Sequence, residues 1–248
     1  MSNMRSDVIK HGVDAAPARS LLRADGLKDE DFDKPFIGIA DSWNEVVPGH
    51  IHLNKIVDAV KEGIREAGGV PFVFGTPAVC DGIAMGHKGM RYSLISREVI
   101  SDCCEVMVEG HAMDGWVGVS NCDKVTPGML MAAGRMNIPA LMVTGGAMEA
   151  GKLNGEDIDF QSVFEAIGQV QVGAADESFL KTVECAACPG AGSCSGLFTA
   201  NTMACLTETL GMSLTGCGTS LAVDEKKLAI AKESGKRIVE LVKKGIKP

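Results

Sequence analysis

The sequence is poor in aromatic residues, in basic runs and in long apolar stretches, and these absences exclude several classes of protein. Aromatic residues make up 4% of the 248 residues. No apolar stretch approaches the roughly 18 residues that a membrane-spanning helix needs. The formal net charge is -8 and no run of Lys or Arg forms a basic face, so we expect no nucleic-acid partner. Residues 1–20 lack the apolar core of a signal peptide, so we expect a cytoplasmic protein without a membrane contact.

Cysteine is plentiful by comparison, but its use does not indicate disulfide bonds. The nine cysteines are an odd number, whereas a closed disulfide framework needs an even one. Thiols in a cytoplasmic protein are mostly reduced. A free cysteine is usually a small buried hydrophobe, so this explanation competes with metal binding at every position.

The chain is predicted to consist of a polar arm, residues 1–34, and one α/β domain, residues 35–248. The arm carries one predicted short helix at Pro17–Arg23. In the domain, short apolar runs that fit buried strands alternate with patterns of helical period. The predicted strands are Phe36–Ala40, Val70–Phe74, Trp116–Ser120 and Ala140–Thr144. The predicted helices are Ile51–Ala67, Ser96–Glu109, Pro127–Arg135, Phe160–Val172, Leu197–Leu210 and Glu225–Lys244. This alternation predicts a parallel sheet with right-handed crossovers, flanked by helices on both faces.

Each of the four predicted strands ends in a polar or glycine-rich turn. These turns begin at Asp41, Val79, Asn121 and Gly145. The carboxyl ends of parallel strands share one edge of the sheet, and ligands bind at that edge. The sequence therefore predicts a binding site where these turns meet.

The turn after the third strand carries a thiol, a carboxylate and an amine in succession: Cys122, Asp123 and Lys124. Soft sulfur suits iron and hard oxygen suits Mg²⁺, so adjacent residues can serve two different metals. Cys80-Asp81 repeats the pattern after another strand, and a shared divalent cation would relieve the repulsion between the two carboxylates. The alternative is that all four residues have structural roles. Cys122 would then be a buried thiol, Asp123 a helix cap, Lys124 a solvated lysine and Asp81 a turn or cap residue.

A third cluster places Cys185, Cys188 and Cys194 among glycines within ten residues. This arrangement indicates metal ligation, although a Cys-x-x-Cys pair alone also suits a thiol-redox pair or half of a zinc site. The other cysteines that fall on or near predicted helices are expected to pack in the core: Cys103, Cys104, Cys205 and Cys217. Three histidines lie near the ends of predicted strands: His50, His52 and His87. The sequence leaves open whether they are metal ligands, substrate contacts or structural residues.

Five segments, in order along the chain, resemble the dihydroxy-acid dehydratase and phosphogluconate dehydratase family. They are Val47-Pro-Gly-His-Ile-His-Leu53, Cys80-Asp-Gly-Ile-Ala-Met-Gly-His-Lys-Gly-Met90, Asn121-Cys-Asp-Lys-Val-Thr-Pro-Gly-Met129, Gly145-Gly-Ala-Met-Glu-Ala-Gly151 and Gly192-Ser-Cys-Ser-Gly-Leu-Phe-Thr-Ala-Asn-Thr-Met203. The resemblance extends from about Arg5 to the C-terminus and implies the α/β N-terminal domain of that family.

The resemblance implies a set of ligands for two metals. Cys122 and Cys194 would bind an iron–sulfur cluster, and Asp81, Asp123 and Lys124 would bind Mg²⁺. Lys124 would do so as a carbamate formed with CO₂. That modification is reasonable chemically, because an ammonium repels Mg²⁺ whereas a carbamate is an anionic oxygen ligand of the kind that Mg²⁺ prefers.

The sequence departs from the family at Pro48-Gly49-His50, where many relatives have Pro-Cys-Asn. That cysteine is their third cluster ligand. Its absence leaves open both the third ligand and the cluster type, 2Fe–2S or 4Fe–4S. The third cluster ligand could instead be Cys80, Cys188 or a group from outside this chain.

Members of the family are considerably longer than this chain. Their β-rich second domain supplies a further Mg²⁺ ligand and the serine regarded as the base that abstracts the proton. We therefore expect a truncated part of a longer protein, without measurable turnover alone. The resemblance also implies that the full-length form is a homodimer.

The implied reaction removes water from a 2,3-dihydroxy carboxylic acid to give a 2-keto acid, a step of valine, isoleucine and leucine synthesis. The substrates would be 2,3-dihydroxyisovalerate and 2,3-dihydroxy-3-methylvalerate. One alternative is a dehydratase of sugar acids such as 6-phosphogluconate. Such an enzyme would need basic residues to bind the phosphate. The other is a non-enzymatic protein that transfers electrons or uses Cys185 and Cys188 as a thiol-redox pair.

Overall fold

Four parallel strands form the central sheet in a computed structural model of the chain, which describes residues 4–248. The strands are β1 (Phe36–Asp41), β2 (Val70–Gly75), β3 (Gly115–Ser120) and β4 (Ala140–Thr144). Their order in the sheet is β2-β1-β3-β4. The predicted strands are thus confirmed to within one residue at each end, and so is the α/β fold class.

Helices occupy most of the remaining chain. They are α1 (Asp7–Lys10), α2 (Ala16–Ala24), a 3-10 helix (Asp29–Asp31), α3 (Leu53–Glu66), α4 (Asp81–Ala84), α5 (Met90–Gly110), α6 (Val125–Met136), α7 (Phe160–Gln171), α8 (Glu177–Ala187), α9 (Thr199–Thr209) and α10 (Glu225–Lys244). A short antiparallel pair, β5 (Gly151–Leu153) and β6 (Glu156–Ile158), precedes α7. Among these described residues, no helix combines the length and apolarity needed to cross a bilayer.

Side chains that alternate along the strands fill a hydrophobic core on each face of the sheet. Phe36 contributes to the core that contains side chains of α5 and α6, whereas its neighbour Ile37 contributes to the opposite core with side chains of α3 and α10. Both side chains are fully buried. A strand buried on both faces has a continuous apolar sequence, which is why the four short runs predicted the sheet. Coverage by helices on both faces is confirmed.

Helices α3 and α10 touch through two glycines, Gly63 and Gly235. A Cβ atom on Gly63 would overlap the carbonyl oxygen of Lys232, and one on Gly235 would overlap the carbonyl oxygen of Val60. The backbones of the two helices are therefore in direct contact, an approach that a larger residue would prevent. This contact fixes the layer of helices on one face of the sheet.

The predicted arm, residues 1–34, packs on the amino-terminal end of the sheet. Its first three residues lie outside the described part of the chain. The Ser6 amide and hydroxyl donate to the Asp114 carboxylate at 2.9 and 2.5 Å. Lys10 is buried, donates to the Lys34 carbonyl at 2.5 Å and lies 4.0 Å from the centre of the Phe36 ring. The arm is thus anchored opposite to the edge at which the strands end.

Candidate functional site

Asn121, directly after β3, connects the ends of three strands. Its buried side-chain amide donates to the carbonyls of Gly49 and Gly146, each at 2.9 Å. Gly49 belongs to the segment after β1 and Gly146 to the turn after β4. The segment after β2 joins them because the Lys124 ammonium lies 2.7 Å from an Asp81 carboxylate oxygen. The predicted convergence of the four strand ends is confirmed.

The loop that carries Cys194 is attached to the same edge of the sheet. The Gly192 amide donates to the Pro48 carbonyl at 3.1 Å, after β1. The Ser193 amide donates to the Gly146 carbonyl at 3.0 Å, after β4. Backbone hydrogen bonds therefore position Cys194 although it lies far from β3 in the sequence.

Asn201, near the start of α9, organises this loop from the other side. Its side-chain amide donates to the carbonyls of Cys194 and Gly196 at 2.6 and 2.7 Å, and its carbonyl oxygen accepts from the Ser193 hydroxyl at 2.6 Å. The side chain is buried, so these bonds satisfy both of its polar atoms. Sequence reasoning gave this residue no role. The available signal was an asparagine in the first turn of a helix that follows a glycine-rich loop.

Four thiols line one cavity of about 440 Å³ at this edge: those of Cys80, Cys122, Cys188 and Cys194. The cavity brings together the two residues predicted as cluster ligands, Cys122 and Cys194. Cys185 is exposed and lies within α8, outside the lining of the cavity. The predicted three-cysteine cluster thus contributes two of its members to the site.

Burial controls the protonation of the deepest thiols. It raises the pKa of Cys122 well above the ordinary value of a thiol, and the neighbouring Cys80 adds to the increase. Burial also raises the pKa of Cys194 to about 11, with a further contribution from Asp123. Both thiols therefore carry protons when no cation is bound, and metal binding must release those protons.

Two carboxylates surround one amine beside the thiols. Lys124 Nζ lies 2.7 Å from Asp81 and 4.0 Å from Asp123, and the Ser93 hydroxyl donates to Asp81. Burial raises the pKa of Asp123, and the neighbouring negative charge of Asp81 raises it further, while Lys124 opposes the increase. The Lys124 side chain is only 20% exposed and paired, so it is not a solvated lysine. The N-cap residue of α6 is Lys124, so Asp123 does not occupy the cap position either.

The donor atoms fit two kinds of metal centre, although no three His, Cys, Asp or Glu side chains within residues 4–248 already surround one point as ligands. Thiols suit iron and carboxylates suit Mg²⁺. The backbone at Gly49 is close to the same thiol, because a Cβ atom on Gly49 would lie 3.2 Å from Cys122 Sγ. A side chain at this position would therefore point to the thiol that is predicted to bind the cluster. Gly49 itself offers no side-chain donor, and a Cβ atom there would be in tight contact with this thiol.

His50 positions Cys122 and is not available as a metal ligand in this arrangement. Its Nδ1 lies 2.7 Å from the Ser42 carbonyl, and its Nε2 accepts from the Cys122 amide at 3.1 Å. Because Nε2 accepts, the proton must be on Nδ1, which donates to Ser42. Burial lowers the pKa of His50 to about 4, so the ring is neutral. The structural explanation holds for this histidine.

The other two histidines near strand ends also bond to carbonyls. The buried His52 bonds to Gly145 through Nε2 at 2.9 Å, and burial lowers its pKa. The exposed His87 bonds to the Ile83 carbonyl of α4 through Nε2 at 3.0 Å. Neither residue lines the cavity.

Apolar side chains complete the wall of the cavity. Phe160 and Phe164 of α7, Ile83 and Met85 near α4, and Met148 all line it. The two phenyl rings pack edge to face with their centres 5.1 Å apart. Among the described residues that line the cavity there is no Lys or Arg. Sequence reasoning missed this wall, whose local signal was the four-residue spacing of the phenylalanines at the start of a helix.

Comparisons with known proteins give a consistent result. The family model described as dihydroxy-acid/6-phosphogluconate dehydratase N-terminal matches residues 34–248. The chain is 59% identical over 245 residues to the dihydroxy-acid dehydratase of Methanosarcina barkeri and 57% identical over 245 residues to that of Methanothermobacter thermautotrophicus. It is 55% identical over 245 residues to that of Desulfitobacterium hafniense. Each match covers 99% of this chain but 44%, 45% and 44% of the respective relative, so the chain spans less than half of their length.

Proposed function

The chain belongs to the dihydroxy-acid/6-phosphogluconate dehydratase family, and on that premise we propose that it forms the metal-binding part of a hydro-lyase. The enzyme would convert 2,3-dihydroxyisovalerate and 2,3-dihydroxy-3-methylvalerate to 2-keto acids for valine, isoleucine and leucine synthesis. The name of the relatives, dihydroxy-acid dehydratase, supports this substrate class. We also propose that it acts in the cytoplasm as a homodimer, as the family resemblance implies.

The observation that carries the proposal is the meeting of thiols and carboxylates at the edge where the strands end. Cys122 and Cys194 line one cavity and would hold an iron–sulfur cluster. Asp81, Asp123 and Lys124 lie together beside them and would hold Mg²⁺, Lys124 as a carbamate. Two sets of donors with different chemical softness at one site suit an enzyme that needs two metals.

The reaction has two difficulties, since the proton on C2 is weakly acidic and hydroxide is a poor leaving group. When bound, the cluster and Mg²⁺ supply Lewis acidity for departure of the C3 hydroxyl and for the negative charge that deprotonation leaves. The residues of this chain hold and orient those groups: His50 fixes the backbone of Cys122, and Asp81 and Asp123 supply anionic oxygens. We assign the base that removes the C2 proton to no residue of this chain.

The apolar wall supports a branched-chain substrate over a phosphorylated sugar acid. The side chains of Phe160, Phe164 and Ile83 offer contact surface for an alkyl group and keep water away from the reacting carbons. A phosphate would need cationic donors, and the described lining residues include no Lys or Arg. 6-Phosphogluconate is therefore the weaker candidate.

Metal analysis of cysteine variants tests the proposal. Protein purified without oxygen should contain iron and acid-labile sulfide and absorb visible light, and Cys122→Ser or Cys194→Ser should lose most of the iron. Cys103→Ser is the matched control, because Cys103 lies on α5 outside the cavity lining. Iron contents in both test variants equal to that of the parent would show that the ligand assignment is wrong.

A further inference from the structure

The dipeptide Cys-Asp occurs twice at this edge, after β2 and after β3. In both pairs the carboxylate lies near Lys124, at 2.7 Å for Asp81 and 4.0 Å for Asp123. In both pairs the thiol, of Cys80 or Cys122, lines the cavity. In each pair the carboxylate thus lies beside Lys124 and the thiol beside the cavity, so Cys80-Asp81 repeats the arrangement of Cys122-Asp123.

Gly49 has no side-chain donor, so the third cluster ligand must come from another residue. Cys80 and Cys188 are the two candidates among the thiols that line the cavity. Cys80 is partly buried and packs against the hydrophobic core that contains Cys122. Cys188 is exposed at the end of α8. Position agrees with this difference, because Cys80 directly precedes Asp81, whose carboxylate lies 2.7 Å from Lys124 Nζ.

We infer that Cys80 is the third protein ligand of the iron–sulfur cluster and that Cys188 lies outside the ligand set. Three thiolates, those of Cys80, Cys122 and Cys194, would hold the cluster. The thiol that Gly49 lacks on the segment after β1 is thereby replaced by one on the segment after β2. The inference rests on the proposed function, since a third ligand can be assigned only if Cys122 and Cys194 hold a cluster.

The test compares three serine variants of the complete protein, purified and reconstituted without oxygen. Cys80→Ser should lose most of its iron and acid-labile sulfide and the visible absorption of the parent. Cys188→Ser and the control Cys103→Ser should keep all three. The parent's iron and spectrum in Cys80→Ser would overturn the inference and leave the proposed function standing, as would a loss confined to Cys188→Ser. A parent that binds no cluster would instead overturn the proposed function itself.

A double variant separates a ligand from a residue that only supports folding. Cys80→Ser combined with Gly49→Cys adds a third thiol to the cavity from the opposite segment. The new Cβ would lie 3.2 Å from Cys122 Sγ, so that side chain must shift by a few tenths of an ångström to accept it. If Cys80 is a ligand, the double variant should regain iron, sulfide and visible absorption, whether or not Cys80→Ser alone keeps its circular dichroism. A double variant that stays free of iron would overturn the inference, because a third thiol near Cys122 would then not restore the cluster.

Discussion

Adding one methyl group between α3 and α10 should destabilise the fold strongly. In Gly63→Ala the new Cβ would overlap the Lys232 carbonyl oxygen and lie 2.9 Å from its carbonyl carbon, whereas ordinary contacts are 3.4–4 Å. The obstructing atoms belong to the backbone and cannot rotate away. The two helices must therefore separate.

The cost follows from what the two helices bury together. Val60, Ile64, Ile238 and Val239 are 0% exposed in the core between the helices and the sheet. A gap of about 0.5–1 Å forfeits a quarter to a half of each dispersion contact, and overpacking typically costs about 1–3 kcal/mol. Since backbone atoms collide here, we expect the unfolding free energy to fall by an amount at the upper end of this range, about 3 kcal/mol. At about 2–4 °C per kcal/mol for a chain of this size, the unfolding midpoint should fall by about 6–12 °C.

The assay is urea and thermal unfolding followed by far-ultraviolet circular dichroism, with Gly134→Ala as control. Gly134 is exposed on α6, and a Cβ there would meet nothing within 4 Å. Alanine at that position should raise the unfolding free energy by about 0.4–1 kcal/mol, because it restricts the unfolded chain. A double variant of Gly63→Ala and Gly235→Ala should lose less than the sum of the single losses, since one separation relieves both collisions. If Gly63→Ala unfolds within about 1 kcal/mol of the parent, the two backbones are not in contact as described and the reasoning fails.

Two further predictions concern the site. His50→Leu leaves the buried Cys122 amide without its acceptor, whereas the Ser42 carbonyl still accepts from the Asn44 side-chain amide at 3.3 Å. Urea unfolding should therefore show a loss of about 1–3 kcal/mol, the cost of one unsatisfied buried group, and an unchanged midpoint would contradict the positioning role. Lys124→Arg keeps the positive charge but offers no oxygen to Mg²⁺. Calorimetry should therefore detect no Mg²⁺ binding in this variant with or without bicarbonate, while its iron content stays near that of the parent. Asp123→Asn should likewise weaken Mg²⁺ binding and spare the iron, and parental Mg²⁺ binding by Lys124→Arg would refute the carbamate.

The central sheet could be predicted because its strands are buried on both faces. The apolar runs locate β4 with its observed bounds, and α10 is likewise found with its observed bounds. By contrast, α5 begins at Met90, six residues before the predicted start at Ser96. Its first turns expose large apolar side chains such as Tyr92 and Leu94, at 67% and 59%, so no buried stripe marks the start of the helix. Periodicity identifies a helix only where one face is buried.

The antiparallel pair β5–β6 and helix α8 were missed for different reasons. The pair is joined by Asn154-Gly155, both with positive φ, which is a favoured hairpin turn and was the available signal. In α8 only Val183 and Ala187 are buried, so the helix has a narrow apolar face. Spacing alone placed Cys185 with its neighbours, but the helix carries it away from the cavity.

The parts of the site that follow the strands could be predicted, and the parts that come from distant helices could not. The rule that the carboxyl ends of parallel strands share one edge of the sheet places Cys122 and Asp81 together from the sequence alone. Phe160 lines the cavity from a helix that lies far from Cys80 and Cys122 in the sequence. Asn201 bonds to the nearby loop of Cys194, and that loop meets the strand ends only through long-range hydrogen bonds to Pro48 and Gly146. Such contacts leave no periodic pattern, because they depend on how the layers pack and not on the local period of the chain.

The pairing of Lys124 with Asp81 shows how the charge of the carboxylates is partly balanced when no metal is bound. One ammonium beside two carboxylates leaves one negative charge uncompensated, and the raised pKa of Asp123, due first to burial and then to Asp81, reflects that excess. A carbamate on Lys124 would turn one uncompensated negative charge into three, so the modification is unfavourable unless a divalent cation accompanies it. Without that carbamate, the cation would meet an ammonium at the position it needs. The two additions therefore depend on each other, and reciprocity requires that Mg²⁺ strengthens the reaction with CO₂ by the same factor by which CO₂ strengthens binding of Mg²⁺.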